Sequence, residues 1–211
     1  MKEKLDYKKQ YKDLYVPPPK PALICVPKMS FIGVDGRGAP LGEEYQAALK
    51  ALYSLSFTIK MSKMAGENIP GYFEYVVPPL EGLWHSEGRA PDFGEGKEHW
   101  RWTSMIRQPE FVTHGIFEWA LEKCAKKNPE ADFSKARLFD FEEGLCVQIL
   151  HVGSYDDEGR SISQITAFIA ENGLEDLVSE TNRHHEIYLS DPRKTAPEKL
   201  KTVIRHPARR L

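Results

Sequence analysis

The sequence has little cysteine, no long apolar run and no excess of charge of either sign. Its three cysteines, Cys25, Cys124 and Cys146, lie far apart and never in a C-x-x-C pair, which argues against a disulfide scaffold and a structural zinc site. No stretch approaches the roughly 18 apolar residues of a membrane span, and the first residues lack the apolar core of an export signal. A cytoplasmic location is expected. A net charge of −2 over 211 residues gives no general attraction to phosphate, so neither nucleic acid nor an anionic membrane is an expected partner. Nucleophile and cofactor motifs are missing as well. Gly33-Val34-Asp35-Gly36-Arg37-Gly38 has neither G-x-G-x-x-G spacing nor the lysine of a phosphate loop, and there is no G-x-S-x-G elbow. Covalent catalysis is not indicated, and no cofactor is expected. His184-His185-Glu186 is the nearest approach to a metal motif, but adjacent strand residues point oppositely and no H-E-x-x-H helix is present. No metal is expected.

What is present suits a folded body, since 41% of residues are hydrophobic and 28% charged. Tyr7, Tyr11 and Tyr15 recur at every fourth position up to Pro17-Pro18-Pro19, which must end any helix. Residues 1–21 thus form an arm, either packed on the body or laid over a site.

From residue 22 the pattern is that of a β-α-β-β unit. Ala22 to Asp35 alternates loosely as a strand. Leu41 to about Lys60 places Tyr45, Ala48, Leu49, Leu52 and Ile59 at helical spacing, with Glu43 and Glu44 at the positive end of the dipole. Gly71 to Val77 and Trp100 to Arg107 are two strand candidates. Thr113 to Lys127 is a second helix, placed as a bridge. Then the pattern restarts. Leu145 to His151 is a strand, and Ser161 with Gln164 makes a capping box for a helix that Asn172-Gly173 stops. His184 to Leu189 and Lys201 to His206 supply two more strands, joined by a short helix capped by Thr195 and Glu198.

Ile204-Arg205-His206-Pro207 repeats Ile106-Arg107-Gln108-Pro109, which points to duplication. The expected fold is α+β, with two pseudo-symmetric β-α-β-β modules whose antiparallel sheets flank a central ligand cleft. Within a domain over 22–211, the halves run from about 22–109 and 131–211, with the bridging helix over about 110–130.

Two groups of residues have the chemistry for a site. Period two puts His184, Glu186 and Tyr188 on one strand face and His185, Ile187 and Leu189 on the other, toward the core, and an acid on an enclosed face needs a partner or a raised pKa. The alternative is a solvated Glu186 paired with a cation, and Glu74 on a comparable first-half strand has the same two readings. The second group is aromatic. Tyr72, Tyr75, Trp84, Trp100 and Trp102 crowd together with Gly71, Gly82, Gly88, Gly94 and Gly96, a composition that suits a lined cavity as well as a packed core. Such rings stack on planar ligands and attract cations.

Taken in order, Val26-Pro27-Lys28-Met29, Ile32-Gly33-Val34-Asp35-Gly36-Arg37-Gly38, Val77-Pro78-Pro79-Leu80-Glu81-Gly82-Leu83-Trp84, Trp100-Arg101-Trp102-Thr103 and Glu186-Ile187-Tyr188-Leu189-Ser190-Asp191-Pro192-Arg193 resemble the stand-alone GyrI-like small-molecule-binding proteins. The resemblance covers nearly the whole chain. It implies a hydrophobic cleft between two α/β halves with an acid at its base, a place that Glu186 takes. The same fold serves multidrug-responsive transcription regulators, but the segment before Pro17 is too short for a helix-turn-helix.

One branch of the stand-alone proteins hydrolyses the cyclopropane of DNA-alkylating natural products with an aromatic cage, and Trp84 and Trp100-x-Trp102 are similar to it. That resemblance implies Glu186 as the general base and Tyr188 as a donor to the developing oxyanion. Tyr72, Glu74, Trp84, Trp100 and Trp102 would hold a hydrophobic planar small molecule. A multidrug-binding or sequestering protein without catalysis is the alternative, and a protein-binding role such as gyrase inhibition is a third.

Overall fold

In a computed structural model of the chain, residues 4–86, 97–179 and 182–211 are described. The arm forms two single-turn helices, α1 (Tyr7–Gln10) and α2 (Lys12–Tyr15). The body runs β1 (Ala22–Val26), β2 (Met29–Arg37), α3 (Glu43–Lys60), β3 (Leu80–Ser86), β4 (Trp100–Arg107), α4 (His114–Lys127), β5 (Ala136–Phe141) and β6 (Gly144–Val152). It continues through α5 (Glu158–Glu171), β7 (Leu174–Asp176), β8 (His184–Tyr188) and β9 (Lys201–Arg210). Among the described residues no helix is long and apolar enough to cross a membrane.

The strands form one antiparallel sheet in the order β1-β6-β9-β8-β3-β4-β2-β5, with β7 added on β9. Its middle is the β-α-β-β path twice over. β2, α3, β3 and β4 make the trio β2-β4-β3, and β6, α5, β8 and β9 make the trio β6-β9-β8. The trios join edge to edge through β3 and β8, where Leu80 opposes Tyr188 and Gly82 opposes Glu186. A pseudo-twofold axis therefore passes at Glu81 and Ile187. Ile106 lies between Ile32 and Leu80, and Ile204 lies between Ile149 and Glu186. The repeated tetrapeptides hold matching sheet positions, and Glu186 stands where the first half has Leu80.

Strand alternation gives the sheet two faces. One carries the helices: α3 seals Ile32, Val34, Trp84, Trp102 and Ile106, α4 packs against α3, and α5 covers Val147, Ile149 and Ile204. The other carries the arm, whose Tyr7, Leu14 and Tyr15 bury Phe31, Leu83, Met105, Ile187 and Val203. Both repeated arginines hold the arm down. The Arg107 guanidinium lies 4.6 and 4.4 Å from the ring centroids of Tyr7 and Tyr11, and Arg205 Nη2 donates to the Leu14 carbonyl at 3.0 Å. The arm is thus packed on the body, on the face away from Glu186.

Several elements differ from the sequence expectation. Ala22 to Asp35 is two strands, because the chain changes partners at Pro27-Lys28: β1 pairs with β6, whereas β2 lies between β4 and β5. Gly71 to Val77 is not a strand; Tyr75 makes a lone bridge to Leu5, and Pro78-Pro79, which offer no N–H, delay the ladder to Leu80. Strand β5 has apolar residues on both faces, so no clean alternation marks it. Helix α5 starts three residues before the expected Ser161 cap, and Ser161 is instead buried with its hydroxyl 2.9 Å from His151 Nδ1. The short turn Pro197–Lys199 follows Ala196 without a side-chain cap.

Candidate functional site

Two glycines make room for the aromatic wall. A Cβ on Gly36 would stand 2.2 Å from the Trp102 ring, and one on Gly82 would stand 2.6 Å from Trp84 Nε1 and 3.1 Å from the Tyr188 hydroxyl. With both absent, Trp102 lies over β2 and Trp84 reaches across β3 to donate to Tyr188 Oη at 2.9 Å. Tyr45, from the first turn of α3, packs against both rings with centroids 5.6 and 5.0 Å apart, and Trp100 meets Trp84 edge-on at 5.5 Å. Lys97 Nζ is 5.5 Å from the Trp100 centroid.

Glu186 lies on the same sheet face and is buried among polar groups. Glu158, at the start of α5, is also buried, and its carboxyl is pushed well above the usual range by burial and then by the charge of Glu186, against a hydrogen bond from Thr202. Burial and the Glu186 charge likewise keep the Tyr188 phenol protonated far above its usual range. Burial raises Tyr45, with Ser104 and Tyr188 acting the other way. Tyr155 is pushed up to about 12 by burial, Glu158 and Glu186. Tyr155 and Tyr188 meet edge-on at 5.8 Å, and both are only half-buried, so the cluster reaches solvent between them.

His184 Nε2 stands 3.1 Å from Glu186 Oε1. Ligand-type atoms of Glu158, His184 and Glu186 fall within 4.8 Å of one another, a donor set compatible with a cation. The His184 to Glu186 separation is that of a hydrogen bond, and proton sharing accounts for it without an ion.

Sequence reasoning missed the opposite face of β8. His185 points away from Glu186, as alternation requires, into a buried ion network rather than an apolar core. Its Nε2 is 3.0 Å from Glu81 and its Nδ1 3.0 Å from Glu143, which also receives Arg205 Nη1 at 2.7 Å. Burial lowers the His185 pKa, but Glu143 and Glu81 outweigh it and raise the value to about 9. Glu143 is raised by burial and lowered further by His185 and Arg205, to about 2. This network anchors the arm, because Tyr15 donates to Glu81 and Gln148 to the Asp13 carbonyl.

Glu186, Tyr188, Trp84, Trp100 and Trp102 are brought together. Tyr72 and Glu74 are not. Because Gly71 to Val77 is not a strand, they lie at the C-terminal end of α3, where Tyr72 donates to the Lys60 carbonyl at 2.8 Å and Glu74 pairs with Lys60 Nζ at 2.7 Å. That ion pair holds the Glu74 carboxyl below its usual range. Tyr72 instead joins the arm-side core with Tyr75 and Phe111. Gly88, Gly94 and Gly96 lie outside the described residues. A groove of about 1370 Å3 opens mainly on the arm-side face of β3 and β4, near Asp35, Arg37, Arg101, Arg137 and Phe139. It does not include Glu186, and Asp35 there is already paired with Arg137.

A family model for the GyrI-like small molecule binding domain matches residues 19–209. The chain is 46% identical to a hydrolase from Listeria innocua, with a TM-score of 0.90, covering 98% of this chain and 100% of that one. It is 48% identical to an uncharacterized conserved protein from the same organism, with a TM-score of 0.94 and the same coverage. The EcmrR C-terminal domain, at 12% identity and a TM-score of 0.52 over 91% of this chain and 98% of that one, shares the fold alone. No curated protein matches the chain.

Proposed function

The chain belongs to the family of GyrI-like small molecule binding domains, and from that premise we propose that it is a hydrolase of planar electrophilic compounds, acting on the cyclopropane of DNA-alkylating natural products. The observation that supports this most is Glu186, buried beside Glu158 and flanked by Tyr188 and the Trp84 wall. The 46% identity with a Listeria innocua hydrolase, over 98% of this chain and 100% of that one, supports the same reaction class.

In such ligands the cyclopropane is conjugated to a dienone. Water forms a bond to the less hindered ring carbon, the strained carbon–carbon bond breaks, and its electron pair moves through the dienone to the carbonyl oxygen. Glu186 takes the proton from water, which contributes roughly two to four powers of ten. A phenol donates to the oxyanion, a role we give to Tyr188, whose neighbour is Tyr45. The proton taken by Glu186 then passes to that carbonyl oxygen, directly or through the phenol, so one water is added and Glu186 is ionised again. Trp84, Trp100 and Tyr45 offer ring faces and edges to a planar ligand and to cationic carbon.

Sequestration of a cationic aromatic compound is the second reading, favoured by the pairing of two buried carboxylates. Incubating a cyclopropane-bearing dienone with catalytic amounts of protein separates them. A mass gain of one water supports hydrolysis; unchanged ligand with saturable tryptophan quenching supports sequestration.

A further inference from the structure

We propose that Asp176, His206 and His184 form a proton relay between solvent and Glu186. The inference rests on the reading of Glu186 as a base. Asp176 Oδ2 is 2.9 Å from His206 Nδ1, His206 Nε2 is 2.9 Å from His184 Nδ1, and His184 Nε2 is 3.1 Å from Glu186 Oε1. Each imidazole is engaged through both nitrogens. The inner groups are sealed, with His184, His206 and Glu186 side chains 1%, 5% and 8% exposed, whereas Asp176 at 29% meets water. The chain thus leads from the surface beside β7 to the carboxylate in the cleft.

Proton counting gives the relay its function. Three hydrogen bonds need three protons, but two neutral imidazoles supply two and two ionised carboxylates none. The intact chain therefore holds one proton more than its neutral rings carry. The proposed relay runs between two end states, with the extra proton on Glu186 or on His206, and burial opposes holding it midway on His184. A concerted shift connects the two states. As Glu186 passes its proton to His184 Nε2, His184 Nδ1 passes its own to His206 Nε2, and no group need rotate. His206 then releases its Nδ1 proton through Asp176 to water.

Other titratable groups face this chain. Glu158 from α5, Tyr45 from α3, Tyr155 from the turn before α5 and Tyr188 surround Glu186, and His185 stands next to His184. Glu158 is the main competitor for the extra proton, and a route outward lets Glu186 be ionised beside it. The two halves support the assignment. In the first half Leu80 stands at the place of Glu186 and Gln108 at that of His206, and an amide cannot pass on a proton. The acid and the relay histidine occur in the same half and are absent together from the other.

The test reads imidazole protonation by ring-nitrogen NMR on histidine-labelled protein between about pH 5 and 9, where histidine titrates. In Glu186→Gln the amide donates to His184 without an added proton, so the His206 midpoint should move by about one pH unit or more, as for coupled sites. The same His206 titration in both proteins overturns the relay, whatever the protein hydrolyses. Asp176→Asn keeps the acceptor at a half-exposed site but cannot take up a proton. Its kcat should fall about tenfold, less than the hundredfold or more of a direct proton transfer because Asp176 acts through His206, with KM unchanged and a shifted pH profile. Unchanged kcat and pH profile in Asp176→Asn also overturn the relay, and leave Glu186 as a base untouched. Failure of the base itself is read separately, as full turnover in Glu186→Gln.

Discussion

The indole nitrogen of Trp84 donates to the hydroxyl oxygen of Tyr188, tying the first half of the chain to the second over the bare backbone of Gly82. Because that oxygen already accepts a hydrogen bond, the phenol proton is directed elsewhere, and the neighbouring charge of Glu186 favours keeping it. Tyr188 is thereby held as a neutral donor next to the acid.

Tyr188→Phe removes that donor and leaves Trp84 Nε1 buried without its acceptor. Stability should drop by about 1 to 3 kcal/mol, the cost of an unpaired buried polar group. Urea denaturation checks this. In hydrolysis of a neutral cyclopropane ligand, kcat should fall tenfold or more, by about 1.4 kcal/mol of transition-state stabilisation.

Glu186→Gln preserves shape and removes proton acceptance. Turnover should fall by about a hundredfold or more while affinity for a neutral ligand stays within a few-fold. Parallel rate and binding measurements with a neutral and a cationic ligand check it. Selective loss of cation binding with hydrolysis intact would return Glu186 to the role of counter-charge.

Gly36→Ala forces a Cβ into the Trp102 ring, a clash with a large buried side chain that should cost about 1 to 3 kcal/mol and alter tryptophan emission. Gly159→Ala is the control, since nothing stands within 4 Å of its Cβ in α5, and it should stabilise by up to about 1 kcal/mol. Trp102→Ala should destabilise by about 3 to 5 kcal/mol, because Trp102 is a fully buried core residue.

The His185 network gives stability a definite pH dependence. The folded pKa of His185, about 9, exceeds its unfolded value near 6.5, so its contribution is complete below about pH 6.5 and is lost as pH rises through 9. Glu143 has the opposite sign. Its folded pKa, about 2, lies below the unfolded value, so its contribution is present above about pH 4.5 and lost as pH falls toward 2. Thermal melts of the wild type should decline between pH 6.5 and 9, and those of His185→Gln should lose that slope.

Much of the fold was legible because helix periods and the repeated Ile-Arg tetrapeptide are local signals. Alternation placed Glu186 and Tyr188 on one face of β8 and located Trp100 and Trp102 on β4. What escaped depends on distant pairing. Glu158 precedes the helix expected to start at the Ser161 cap, so nothing local marks it as a buried partner of Glu186. His185 looked like a core position because Glu81, Glu143 and Arg205 come from β3, a turn and β9. Glu74 was placed on a strand because Phe73-Glu74-Tyr75 alternates, and only Pro78-Pro79 hinted that pairing would wait until Leu80. The change from Gln108 to His206 between the repeated tetrapeptides was the one sequence signal for the relay.

The exchange of Leu80 for Glu186 across the pseudo-axis makes the two halves of the sheet chemically unequal. Two separate copies of one module would present the same residue on both sides, and a flat guest could lie in either of two equivalent orientations. With Leu80 on one side and Glu186 on the other, a guest bound as proposed above has one orientation that brings an electrophilic carbon to the acid. On that reading, the two ends of a guest are told apart by which half of the chain each end touches.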